Sequence, residues 1–343
     1  MTRAGPLARP STRATRRALV GAAWTLAWTL VWGAMLMMFA NRAHAAPLTL
    51  AVSSGPVSLP IYVAQARGFF KDEGLELRLR DCASGRECWQ RLAEGQVDLA
   101  TAAELMTATG GSRRDLAIIA TISTSSYQIK LVARRSAKIA EAPQVRGKRI
   151  GTVPGSSAQY FLDNWLVYND IDPRSVTVVG LAPDRLVPAL QAREVDAVAI
   201  WEPLAAAAAL ALGGDAVTLT SPRVYTQHFN LVAARAVLER RADEVGRLLR
   251  ALLRAQRAIQ DDPDAARALL AERLRLPPLV LATAMENEDY RLRLDQSLVT
   301  TMQSEARWAA ATAGVTSSGI EVLRAIDPAP LHRVDAAAVG IVQ

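Results

Sequence analysis

Lys148-Arg149-Ile150-Gly151-Thr152-Val153-Pro154-Gly155-Ser156-Ser157-Ala158-Gln159-Tyr160-Phe161-Leu162-Asp163-Asn164-Trp165 is the stretch from which the rest of the chain can be ordered. Residues 150–153 read as a short buried strand, Pro154-Gly155 as a turn, and Ser156 or Ser157 as the N-cap of the amphipathic run that follows. A strand that feeds a helix through a tight Gly-Ser turn directs free backbone N–H groups and the positive end of the helix at one point. A small polar ligand, often an anion, can sit there. The competing reading is that the serines only cap their own helix.

Outward from this stretch the pattern repeats. Residues 48–52 are an apolar strand, Ser53-Ser54-Gly55-Pro56 a turn, and residues 59–70 helix-like. Leu75-Glu76-Leu77-Arg78-Leu79-Arg80 alternates and predicts a half-exposed strand; a helix over about 87–94 and a strand over 97–100 follow. Such a β-α-β-α-β unit implies a parallel sheet with right-handed crossovers. The segment 92–100 shares its Leu, turn and Val-Asp with 190–198, which lies 98 positions on. The expected fold class is therefore α/β, in two related lobes, each a mostly parallel sheet flanked by helices. Lobe 1 is expected over 46–133 plus 227–343 and lobe 2 over 134–226. Residues 118–126 and 129–133 read as a crossover strand pair, and 224–234 as the return. Beyond Ala236 the chain turns helical, with a long amphipathic helix over 237–259 and another opened by Asp262-Pro263.

The N-terminus has a separate character. Residues 1–17 carry five arginines and no acid, 18–40 are uncharged and apolar, and Ala43-His44-Ala45 has the small-x-small form of a cleavage site. Residues 1–45 are expected to be a signal peptide. The 23-residue apolar run is also long enough for an uncleaved anchor, and Arg16-Arg17 partly fits a twin-arginine signal. Removing the six arginines of this segment from the 40 basic residues leaves 34 against 33 acidic, a net of +1. The basic balance belongs to the leader, so no nucleic-acid partner is expected. Cys82 and Cys88, six positions apart in an exported chain, are expected to form a disulfide rather than to remain thiols. No metal site is expected, because beyond the leader only His228 and His332 occur, both far from the cysteines.

Four motifs in order resemble the nitrate/sulfonate/taurine class of substrate-binding proteins of ABC importers, within the superfamily of thiamine-pyrimidine-precursor binders. They are Leu59-Pro60-Ile61-Tyr62 through Gly68-Phe69-Phe70-Lys71-Asp72-Glu73-Gly74-Leu75, Gly147-Lys148-Arg149-Ile150-Gly151 with Pro154-Gly155-Ser156-Ser157, Val195-Asp196-Ala197 with Trp201-Glu202-Pro203, and Asp261-Asp262-Pro263-Asp264. The resemblance runs from Leu48 to about Leu331. It implies a two-lobed periplasmic-binding fold of type II with a helical C-terminal part, closing on a solute by hinge motion. Carried over by position, the ligand-binding residues would be Ser54, Tyr62, Thr101 and Glu104 in one lobe. Ser156, Ser157, Gln159, Trp201 and Glu202 would serve the other, with Tyr225 and Gln227 at the recrossing. Trp201 could equally be a core aromatic, and Asp98 and Asp196 are expected to be structural. The implied partners are a small-molecule ligand, an ABC permease and its ATPase, with the protein a periplasmic monomer.

Glu104 and Glu202 fall near the expected cleft, and no Arg or Lys is clearly placed there. Two carboxylates repel an anion, which leaves room for an amine-bearing, zwitterionic or heterocyclic ligand. Neither a catalytic role nor a cofactor is expected, because two distant histidines give few options for a triad and no H-E-x-x-H, G-x-S-x-G or P-loop occurs. The alternatives are a membrane-anchored sensor using the same cleft and an enzyme of the thiamine-pyrimidine type.

Overall fold

Ten strands in two sheets carry the architecture: β1 (Leu48–Ser53), β2 (Leu77–Cys82), β3 (Leu99–Ala103), β4 (Leu116–Ser125), β5 (Ile129–Arg134), β6 (Arg149–Thr152), β7 (Thr177–Gly180), β8 (Ala197–Trp201), β9 (Ala216–Leu219) and β10 (Gln227–Ala234). The structure is a computed structural model that describes Met1, Gly5 and residues 46–109, 113–221, 224–313 and 319–342. The signal peptide expected over 1–45 lies outside the described residues, Met1 and Gly5 apart.

The first sheet has the order β2-β1-β3-β10-β4 and the second β7-β6-β8-β5-β9. In each, three parallel strands are followed by one reversed strand, β10 or β5, and by an edge strand, β4 or β9, that pairs antiparallel with it. The sheets therefore match strand for strand, as the repeat predicts. The correspondence extends to side chains. Asp98 accepts from the Thr49 N–H at 2.8 Å and Asp196 from the Arg149 N–H at 2.9 Å, each tying the start of one strand to its neighbour.

Side-chain alternation explains why the second sheet is buried on both faces. Ile129, Leu131 and Ala133 of β5 join one core with Ala197 and Ala199, whereas Val132 joins the opposite core with Val198 and Ile200. The chain accordingly changes sheets at residues 126–128, ahead of the expected 133/134 boundary, because β5 is needed to complete the second sheet.

The helices used below are α1 (Leu59–Ala66), α2 (Gly85–Ala93), α3 (Glu104–Thr109), α4 (Ser157–Tyr168), α5 (Pro183–Gln191), α6 (Leu204–Leu212), α7 (Ala242–Asp261), α8 (Pro263–Leu274) and α9 (Gln296–Ala313). On α4, Phe161 and Trp165 are one turn apart and fill one core of the second sheet; α5 and α6 cover the other face. Val245, Leu248, Leu249, Leu252, Ala255 and Ile259 form the buried stripe of α7, which packs against α1.

Two predicted helices are shorter than expected. The 59–70 run breaks at Gly68, which is left-handed at φ 73°. The 237–259 run is split at Arg241, a non-helical residue held by Glu244 at 2.7 Å and Asp98 at 3.5 Å. Asp262 caps α8 as the Asp-Pro signal predicts, accepting from the Ala265 N–H at 3.0 Å. Cys82, at the end of β2, is disulfide-bonded to Cys88 in α2, with Cα atoms 5.6 Å apart. Among the described residues no helix is long and apolar enough to cross a membrane.

Candidate functional site

A cleft of about 770 Å³, its open mouth included, lies where the carboxyl ends of the parallel strands of both sheets converge. Ser54, Gly55, Ser84, Gly85, Arg86, Ala103 and Met106 line it from the first sheet's side. Val153, Ser156, Ser157, Pro183, Trp201 and Glu202 line it from the second, and Gln128, Gln227 and Phe229 come from the two crossings between sheets. This is the position that open parallel sheets reserve for ligands.

Each wall is built by a strand running into a helix start. After β6, Gly155 takes φ 62°, which favours glycine, and turns the chain into α4. Ser156 caps that helix, accepting from the Ala158 N–H at 3.2 Å while donating to the Val153 carbonyl at 2.7 Å. The Ser156 hydroxyl thus has the capping role that the sequence allows. Ser157 accepts instead from the Gln227 amide at 3.0 Å, linking α4 to β10 across the cleft.

After β2, Ser84 accepts from the Glu87 N–H at 3.3 Å and Glu87 accepts from the Ala83 N–H at 2.9 Å. This pair of bonds starts α2 at Gly85 rather than at the expected residue 87. Arg86 is thereby placed in the first turn, at the mouth of the cleft. Gly85 fits where a Cβ would come within 3.2 Å of the Ala102 backbone and 3.3 Å of the Phe229 ring.

Six of the eleven residues singled out from the sequence meet at this cleft: Ser54, Ser156, Ser157, Trp201, Glu202 and Gln227. The other five stand behind it. Thr101 accepts from the Ser53 N–H at 2.9 Å, and the Tyr62 hydroxyl donates to the Ser53 carbonyl at 3.1 Å, so both hold the turn after β1. Gln159 accepts from the Gly155 N–H at 2.7 Å and braces the turn after β6. Glu104 is fully buried, accepting from the Tyr225 hydroxyl at 2.7 Å and from the His228 N–H at 3.0 Å. The same Tyr225 hydroxyl lies 3.2 Å from Glu305 Oε1. Burial, and then the neighbouring Glu104, push the Glu305 carboxyl well above the usual carboxylate range.

The expected conflict between two carboxylates and an anion does not arise. Glu104 is turned into the interior, and the Glu202 side chain, only 1% exposed, is paired with Lys130 at 2.7 Å and accepts from the Ala206 N–H at 2.9 Å. Nor does the cleft lack a cation, as the sequence had suggested, since Arg86 lines its mouth. The remaining polar lining includes Gln128, whose amide donates to the Glu202 carbonyl at 3.2 Å. Its Oε1 is buried without a partner among the described residues. Trp201, Phe229 and Met106 supply an apolar wall.

Comparison with known proteins agrees with this construction. The profile of the NMT1-like family matches residues 42–275. The chain belongs to the NMT1-like family. Among relatives of this NMT1-like protein, a Bacillus subtilis (strain 168) protein named for aliphatic sulfonate binding is 24% identical over 236 residues, 67% of this chain and 71% of that one. A 4-amino-5-hydroxymethyl-2-methylpyrimidine phosphate synthase of Uromyces fabae is 26% identical over 125 residues, only 36% of either chain. The periplasmic aliphatic sulphonate binding protein SsuA from Escherichia coli superposes with a TM-score of 0.72 at 18% identity, covering 83% of this chain and 93% of that one. The periplasmic nitrate-binding protein NrtA from Synechocystis PCC 6803 superposes with a TM-score of 0.68 at 14% identity, covering 85% and 89%. At such identities the superpositions establish the fold, which is that of periplasmic binding proteins.

Arg86, Gln128, Met106 and Phe229 are among the cleft residues that the sequence reading missed. The Ser84-x-x-Glu87 capping signature was the available signal for Arg86. For Gln128 there was only a lone amide between two apolar runs.

Proposed function

We propose that this protein is the periplasmic solute-binding component of an ABC importer, closing two lobes on a small organic oxyanion and handing it to a membrane permease. The observation that carries the reading is the cleft itself. Two strand-to-helix turns converge there, each aiming a helix start at the same space, beside a guanidinium and an apolar wall. Helix starts and a cation suit a negative group, and Trp201, Phe229 and Met106 suit an organic tail. Export follows from the arginine-rich, apolar leader, and a periplasmic address agrees with the solved relatives of this fold.

Binding without chemistry is favoured over the synthase reading. Among the described residues no histidine lines the cleft beside its serines: His228 is 1% exposed, and its Nε2 is 2.8 Å from the Ser297 hydroxyl. The test is native mass spectrometry of freshly purified protein, followed by thermal-shift screening of sulfonates, nitrate, carboxylates and pyrimidines. A true ligand at 100 times its Kd adds ~2.7 kcal/mol of stability by mass action. Release of a chemically altered molecule would overturn the binding reading. N-terminal sequencing of the exported protein separates a free binder, which would begin at Ala46, from an anchored sensor.

A further inference from the structure

Arg86 bridges two walls of the cleft. It projects from the first turn of α2, and its Nη2 donates to the Pro154 carbonyl at 3.3 Å and to the Gly155 carbonyl. Those carbonyls belong to the β6–α4 turn, so the two bonds run from one side of the cleft to the other at its mouth. Gly155 suits this contact twice over. Its φ of 62° strains any other residue, and a Cβ there would meet Arg86 Nη2 at 3.3 Å.

Among the described residues no carboxylate pairs with Arg86. A guanidinium offers five donors in a planar fork, and Nη2 alone faces the two carbonyls. The Nε and Nη1 donors, and the charge, remain for another partner. Neutral carbonyls are weaker partners for a guanidinium than an oxyanion is, because a charge-to-charge pair is shorter and can be bidentate. The turn that carries Arg86 is also fixed at both ends. Cys82 and Cys88 are bonded across it, and Ser84 accepts from the Glu87 N–H and Glu87 from the Ala83 N–H, which keeps the arginine stem at the mouth.

We propose that Arg86 is the specificity-determining residue of the cleft, its Nη2 latching the two sides through Pro154 and Gly155 while its other edge takes the oxyanion of the bound solute. One side chain then carries both charge recognition and lobe closure. This rests on reading the cleft as a solute site.

The test compares wild type with Arg86→Gln and Arg86→Lys, using ethanesulfonate and its uncharged analogue ethanesulfonamide in titration calorimetry. Distances between fluorophores on the two lobes are measured without either probe. Arg86 is exposed, so circular dichroism and melting temperature should show both variants folded. Wild type is expected to favour the sulfonate by ~10- to 100-fold, the range for hydrogen bonds to charged groups. Arg86→Gln should bring the two probes within about threefold of each other and lengthen the mean interlobe distance. Arg86→Lys should keep part of the charge preference and weaken the closure, since one ammonium nitrogen replaces two separated edges and cannot hold the carbonyls and an oxyanion on opposite sides. Undiminished discrimination in Arg86→Gln, or an unchanged interlobe distance, overturns the proposal and leaves the solute-binding reading standing. Failure of wild type to bind any member of a panel of sulfonates, nitrate and carboxylates removes the anion site and the role of Arg86 together.

Discussion

Replacing Lys130 with methionine removes the charge that is paired with Glu202. The two side chains are 5% and 1% exposed, with Nζ 2.7 Å from the carboxylate oxygen. The methionine nearly preserves the apolar stem, so the chief change is electrostatic. Glu202 would keep only the Ala206 N–H as a partner. Stranding a buried carboxylate in this way typically loses 3–5 kcal/mol. With an unfolding entropy of about 2.1 cal/mol/K per residue over some 300 folded residues, that corresponds to a fall in Tm of roughly 5–8 °C. Burial already raises the Glu202 carboxyl despite Lys130, and without the lysine it should rise further. The deficit relative to wild type should therefore shrink as the pH is lowered and Glu202 takes up a proton, and grow as the pH is raised. A second change, Glu202→Gln, should restore most of the loss. Guanidinium denaturation of the two single variants and the double variant at pH 5 and pH 8 gives the full cycle. A loss below about 1 kcal/mol at pH 8, or a deficit independent of pH and of Glu202→Gln, would refute the argument that this pair is what keeps negative charge out of the cleft.

Three further outcomes are expected. Glu288, whose carboxyl oxygens are buried beside the Ser125 hydroxyl, has its pKa pushed up to about 8 chiefly by burial. Its stabilising contribution is present below the unfolded value near pH 4.5 and is lost as the pH rises through 8, so Glu288→Gln should gain on wild type by up to a few kcal/mol across that window; a flat difference in denaturation midpoints would count against it. The double change Cys82→Ala and Cys88→Ala should destabilise by ~2 kcal/mol on the chain-entropy estimate for so short a loop, as read from denaturation of oxidised protein. Trp201→Ala should abolish the fluorescence change on solute binding while leaving the circular dichroism intact, and unchanged affinity would remove Trp201 from the site.

Much of the fold was legible because its signals are local. The Val97-Asp98 and Val195-Asp196 pairs, the Gly155 turn and the alternation over 75–80 each report a strand end or a helix start within a few residues. What was misread depends on contacts distant in sequence. Whether Glu104 faces the cleft, and whether Glu202 brings an unpaired charge to it, is decided by Tyr225, His228 and Lys130, which lie 72 to 124 positions from those partners. Period and propensity carry no information about such pairings. Arg86 was missed for a smaller reason, a helix start placed two residues late. Tyr62 and Gln159 were placed on the helices that follow the cleft turns and Thr101 after β3 rather than within it, and all three side chains brace those turns instead of facing the cleft.

The interleaving of the two sheets sets an order of events during synthesis. The second sheet is drawn from one continuous span, residues 129–219, and can close once that span has left the ribosome. The first cannot, because β10 must insert between β3 and β4 after about a hundred intervening residues have been made. Until then β3 and β4 each have an open edge, and such long-range pairing is slow. The late half is also the one nearer the N-terminus, so a nascent chain carries its later-made half folded while its earlier-made half waits.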